Sequence, residues 1–167
     1  MTTLASSLES VTPSIDAIKK TEVQWALCES SVSQFARKTG FPLKSSEKRQ
    51  VYFLETTNMD LFALKTVLRI RDADRTFQTS AKINFVDDSN LPWQELRGKD
   101  SKCEWDRYGS FQKVGCSLNH EATALTSALS REQQSYVQTI TGFNAWKDLR
   151  LLGPANDEEW TWEQGPT

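Results

Sequence analysis

The chain has 167 residues, 38% of them hydrophobic and 25% charged, with a formal net charge of −2. That length suits one domain with a real core, and the near-balanced charge excludes global attraction to nucleic acid or to an anionic membrane. Any bound polyanion must therefore meet positive charge gathered locally.

The first 17 residues are small and polar and are expected to form a flexible arm, with residues 18–167 as a single domain. The opening "MTTLASSLES" has neither a basic leader nor an apolar stretch, so no signal peptide is expected. Nothing approaches the roughly 20 apolar residues that span a bilayer. Cys28, Cys103 and Cys116 form no close pair in the sequence, and His120 is the single histidine. This argues against a zinc site or a disulfide scaffold and for a reducing, cytoplasmic setting. The cysteines read as packing residues, and His120, beside Glu121, as a surface or capping residue rather than a catalytic base.

"KTEVQWAL", Lys20 to Leu27, alternates as a strand does, with Val23, Trp25 and Leu27 on one side and Glu22 and Gln24 on the other. A short helix follows, capped by Ser30 or Ser31, striped by Val32, Phe35 and Ala36, and ended by Gly40 and Pro42. "RQVYFLET" (Arg49–Thr56) is a second strand and "NMDLFALK" a helical turn. "VLRIRDADRTFQTSAKIN" then forms a hairpin that turns at Asp72–Arg75. Arg69 and Arg71 share one face with Val67, while Leu68 and Ile70 take the other. Beyond the turn, Gln78, Ser80, Lys82 and Asn84 oppose Phe77, Ala81, Ile83 and Phe85.

"DDSNLPWQ" is a loop. "KCEWDRYGSFQKVGCSLN" is another hairpin, turning near Tyr108–Ser110, with Lys102, Glu104 and Asp106 on one face. The pattern turns helical from about Glu121 to Ile140, and Ser130 with Gln133 makes a capping box. "GFNAWKDLRLLGP" is a turn and short element. "EEWTWE" is a last strand that aligns Glu159, Thr161 and Glu163.

The polar faces admit two readings: they are solvated, or they line a basic cavity. Glu22, Gln24, Arg69, Arg71, Lys82, Lys102, Glu104 and Asp106 together carry both signs of charge. A closed barrel so lined would bind a phosphate chain through Lys and Arg and a divalent metal through carboxylates. The alternative for Arg69 and Arg71 is structural pairing with Glu104 and Asp106.

"YFLETTNMDLFALKTVLRIRD", Tyr52 to Asp72, resembles the segment "YFDTPDLALYRRGIALRIR" typical of CYTH-domain proteins, the triphosphate tunnel metalloenzymes. Phe53 and Glu55–Thr56 match the aromatic and the acid–threonine pair, and Leu68–Arg71 the "LRIR" strand. Lys65 stands where the family usually has glycine. "TSAKIN" sits at the family's "TLK" strand, and "KCEWD" resembles its R-x-E-x-E strand. The first-strand signature E-x-E-x-K reads Lys20, Glu22 and Gln24 here.

The resemblance implies an α+β fold with an antiparallel β-barrel, tunnel-like, with a polar interior and flanking helices. Longer members continue past the equivalent of Thr167 into strands that close the tunnel, so an incomplete barrel is also expected, with Glu159 and Glu163 as the acids available there. It implies phosphate binding by Arg69, Arg71, Lys82 and Lys102, and a Mg²⁺ or Mn²⁺ ion held by Glu22, Glu104 and Asp106; no catalytic residue is assigned. The expected function is metal-dependent hydrolysis or cyclisation of a triphosphate, chemistry that consists mostly of positioning and charge neutralisation. The alternatives are a degenerate binding protein without turnover and an enzyme acting on an organic diphosphate. The expected partner is a small phosphorylated ligand, with a homodimer left open and neither nucleic acid nor membrane involved.

Overall fold

Alternation in the central strands decides which face is buried. The computed structural model describes residues 20–23, 31–40, 43–73, 76–97, 99–108, 110–125 and 128–162, and their side chains except those of 20–23, 43–46, 73, 107–108 and 159–162. The expected arm at 1–17, together with Gln24, Cys28 and Glu163, lies outside the described residues. The elements in order are β1 (Lys20–Val23), α1 (Val32–Thr39), β2 (Leu43–Glu55), α2 (Asp60–Ala63), β3 (Thr66–Ala73) and β4 (Thr76–Phe85). Then come α3 (Trp93–Leu96), β5 (Ser101–Tyr108), β6 (Phe111–Ala122), α4 (Arg131–Thr141), a 3₁₀ turn (Trp146–Asp148) and β7 (Arg150–Trp162).

The fold is α+β. Six strands pair antiparallel in the order β5-β6-β4-β3-β2-β7, and β1 adds in parallel to the outer edge of β5. Among the described residues the sheet is open, with β1 and β7 at its two edges, so the expected barrel is not closed by these strands.

One face of the sheet is the core. Leu68, Ile70, Ala81, Ile83, Cys116 and Leu118 are buried there, and Leu61, Leu96, Tyr136, Val137 and Phe143 from the helices and loops join them. Helix α4 is pinned by polar contacts as well as apolar ones. The fully buried Gln133 donates from Nε2 to the Leu118 carbonyl at 2.9 Å and accepts from Thr79 Oγ1 at 3.0 Å. Tyr136 donates its hydroxyl to the Cys116 carbonyl at 3.1 Å, and burial pushes its pKa up.

Local rules place the helix ends. Ser31 and Ser130 each close a capping box, with Gln34 and Gln133, and Gly40 and Gly142 end their helices in the left-handed region. Tertiary pairing overrides the sequence elsewhere. Residues 121–124 are not helical: β6 runs on to Ala122 because Gln78 and Phe77 of β4 still need partners, and Glu121 and Ala122 supply them. β2 starts at Leu43 rather than Arg49, and β7 at Arg150, because the two strands pair along almost their full length. Trp93–Leu96 forms a helical turn that begins within the end of the segment read as loop.

The cysteine expectation is also corrected. Cys103 and Cys116 face each other across β5 and β6 and form a disulfide. A turn centred on Gly109 would set Cys103 opposite Gly115; the register pairs Tyr108 with Phe111, and that half-residue shift brings the two cysteines together. Cysteine usage therefore no longer points to a reducing compartment. Among the described residues no helix is long and apolar enough to cross a membrane.

Candidate functional site

Directly opposed residues of a sheet share a face, so the register alone assembles the site. Arg69 stands opposite Ser80 and Arg71 opposite Gln78. Ser80 then meets Asn119, Gln78 meets Glu121, and Lys82 meets Ser117. Ser117 also faces Lys102. The result is a polar face, opposite the core, that lines a cleft of about 810 Å³. Arg69, Arg71, Lys82, Lys102 and Glu104 all line it. Asp106 does not line it but is ion-paired to Lys82, which does.

A fifth cation was hidden in the sequence. Arg49 of β2 lines the same cleft, its side chain only 9% exposed, 3.0 Å from Asp157 of β7. Its neighbours of equal parity, Val51 and Phe53, are apolar, so the strand did not read as polar on that side. The pairing of Val51 with Arg71 is the signal that places Arg49 there.

The cleft is not uniformly basic. Its five cations are met by five carboxylates: Asp100, Glu104, Glu121, Asp157 and Glu158. Their placement differs, however. Asp100, Glu121 and Glu158 are exposed, whereas Arg69, Arg71 and Lys82 are half-buried. Arg69, Arg71 and Lys82 thus lie deeper than these three carboxylates, which water and salt screen, whereas Glu104 is buried and Lys102 exposed.

Two ion pairs organise the lysines. Lys82 Nζ is 2.8 Å from Asp106 Oδ2, and Lys102 Nζ is 2.9 Å from Glu104 Oε1. The described partners of Glu104 and Asp106 are thus lysines, not Arg69 and Arg71. Asp106 has a second, longer contact to Lys113 at 3.8 Å, and its Oδ1 is buried without a hydrogen bond.

The Lys82–Asp106 pair spans β6, and Gly115 makes room for it. A Cβ built on Gly115 would overlap Lys82 Cε and lie 2.7 Å from its Nζ. The ammonium passes over a notch in the middle strand, which explains a glycine there despite its poor fit to strands. Gly115→Ala is therefore expected to dislodge Lys82 and cost about 1–2 kcal/mol, the pair being largely buried. In an Asp106→Asn background that cost should shrink towards zero, a coupling of about 1 kcal/mol in a double-mutant cycle of urea melts. Equal costs in both backgrounds would refute the notch.

The implied divalent metal would need several acidic side chains converging on one point. Of its three expected ligands, Glu104 and Asp106 are each tied to an ammonium. Glu22 pairs through its backbone with Asp106 in the β1–β5 register, and its side chain lies outside the described residues. Among the described residues no group of three or more His, Cys, Asp or Glu side chains is placed to hold a metal ion. The described donor set does not fit Mg²⁺ or Mn²⁺.

Comparison with protein-family models, with curated proteins and with solved structures finds no match.

Proposed function

We propose that this protein is a CYTH-like binder of a phosphate chain, a triphosphate or diphosphate, held on the basic floor of the cleft. The observation that carries the reading is the convergence of Arg49, Arg69, Arg71, Lys82 and Lys102 on one cleft of about 810 Å³. That volume is within the range of small-ligand sites. Arginine forks suit phosphate oxygens bidentately, and two arginines occupy neighbouring same-face positions of β3. The backbone at Lys65 supports the family resemblance. Its φ of 54° lies in the left-handed region that glycine adopts freely, at the position where the family carries glycine.

Hydrolysis or cyclisation of the bound triphosphate would need a charge-neutralising group besides these cations, and Glu104 and Asp106, the described acids expected to hold one, are already paired with lysines. Binding without turnover is therefore the stronger form of the proposal.

A ligand bound only by the folded chain stabilises it by mass action, about 2.7 kcal/mol at a hundred times its Kd. For a domain of this size that is a rise in Tm of roughly 5–10 °C. Tripolyphosphate at millimolar concentration should produce such a shift, with no phosphate released over hours. No shift with or without Mg²⁺ would refute the phosphate reading, and steady phosphate release would replace binding by catalysis.

A further inference from the structure

The fate of Glu104 and Asp106 decides how this cleft takes its ligand. Both carboxylates sit on the cleft face of β5, and both are more enclosed than the ammonium groups they hold: side-chain exposure is 8% for Glu104 against 50% for Lys102, and 16% for Asp106 against 23% for Lys82. A carboxylate so placed keeps its charge at a low cost only with a cation beside it. Gly115, by leaving the notch open, lets Lys82 reach across a whole strand to provide that cation. The lysines in turn are the groups that an incoming phosphate needs. One ammonium cannot be shared fully between a buried carboxylate and a phosphate oxygen.

We propose, on the basis of the phosphate reading above, that Glu104 and Asp106 are counter-ions competing with the ligand for Lys102 and Lys82, and that the phosphate chain binds here without a divalent metal. In the empty cleft the two carboxylates hold the lysines in place. On binding, the ammonium groups swing to the phosphate oxygens, and the more exposed Lys102 moves more readily than Lys82. Arg69 and Arg71, on the neighbouring strand β3, supply the forks that orient the chain. Asp106 and Glu104 are positioning residues in this scheme; they touch the lysines and not the ligand.

The counter-ion and metal-ligand roles predict opposite signs for the same substitution. Removing a competing negative charge should tighten anion binding, whereas removing a metal ligand should weaken it. The experiment is calorimetric titration of tripolyphosphate into the wild type, Asp106→Asn and Glu104→Gln, in EDTA and again in excess Mg²⁺. Thermal melts establish that each variant is folded, and both replacements are isosteric. The expected result is wild-type binding in EDTA, weaker binding in Mg²⁺ because the ion complexes the free phosphate chain, and about fivefold tighter binding in EDTA by Asp106→Asn. Glu104→Gln should shift affinity in the same direction. Binding that appears only with Mg²⁺, or that Asp106→Asn weakens, overturns the counter-ion role while leaving the phosphate reading intact. Absence of wild-type binding in both buffers overturns both.

Discussion

Changing Arg69 and Arg71 together to methionine is expected to lower tripolyphosphate affinity by more than about a hundredfold while the protein still folds. Each hydrogen bond to a charged group contributes roughly 1.5–3 kcal/mol, so two lost forks exceed the 2.8 kcal/mol or so that a hundredfold change requires. Methionine keeps much of the length of the side chain and fills irregular space without a charge. Folding should survive for a specific reason. If the arginines neutralised Glu104 and Asp106, the double change would strand two enclosed carboxylates at a cost of roughly 3–5 kcal/mol. Those carboxylates hold Lys102 and Lys82 instead, at 2.9 and 2.8 Å. Arg69 and Arg71 are also like charges on neighbouring same-face positions of β3, so the double change removes their mutual repulsion. A denaturant melt beside a binding titration reads both halves. A large loss of stability with binding retained in the folded fraction would show that the arginines serve the fold and not a ligand.

Most of this face was legible because period-two alternation depends only on local chain geometry. The hairpin from Thr66 to Phe85 placed Arg69, Arg71 and Lys82 on one side and Leu68, Ile70, Ala81 and Ile83 on the other, and the register follows that division. What depended on partners distant in sequence was not legible. Which cation neutralises Asp106 follows from β6 lying between β4 and β5, with a glycine at the crossing point. No local pattern encodes that neighbour order. Arg49 was hidden for the same reason, since its role follows from β2 lying between β3 and β7. The disulfide turned on half a residue in the position of a turn, a precision that alternation does not provide because neighbouring registers share the same local pattern. Ala122 favours helix on intrinsic preference, yet it pairs with Phe77 of β4 as the last residue of β6.

The largest stability effect is expected at Glu55, the acid of the acid–threonine pair, which does not line the cleft. Glu55 is 7% exposed, and its carboxylate accepts three backbone amides. Oε1 takes Thr56 N–H at 2.8 Å and Leu61 N–H at 3.0 Å, and Oε2 takes Phe62 N–H at 2.9 Å. Two of those amides open α2, whose own N-cap, Met59, makes no side-chain hydrogen bond. The carboxylate therefore does the capping from the end of β2, and its charge also suits the positive end of the helical turn. It also holds Leu61, a fully buried core residue, over the sheet. Glu55→Ala would leave three donors without an acceptor, one of them on Leu61 itself. At roughly 1–3 kcal/mol for each buried orphan, with water reaching part of the site, the expected loss is about 3–5 kcal/mol. Glu55→Gln keeps the oxygen that serves Thr56 and Leu61 but turns an amide N–H₂ towards the Phe62 donor, so about 1–2 kcal/mol is expected. Urea melts of both variants give the comparison. The order matters more than either value, because only an acceptor role makes glutamine cost so much less than alanine. Equal losses would mean that Glu55 matters for its charge and not for the amides it gathers. Arg69 and Arg71 are placed by their pairing with β2 and β4 and not by this corner. Glu55→Ala should therefore weaken anion binding only in proportion to the unfolded fraction, leaving the affinity of the folded chain unchanged at low temperature.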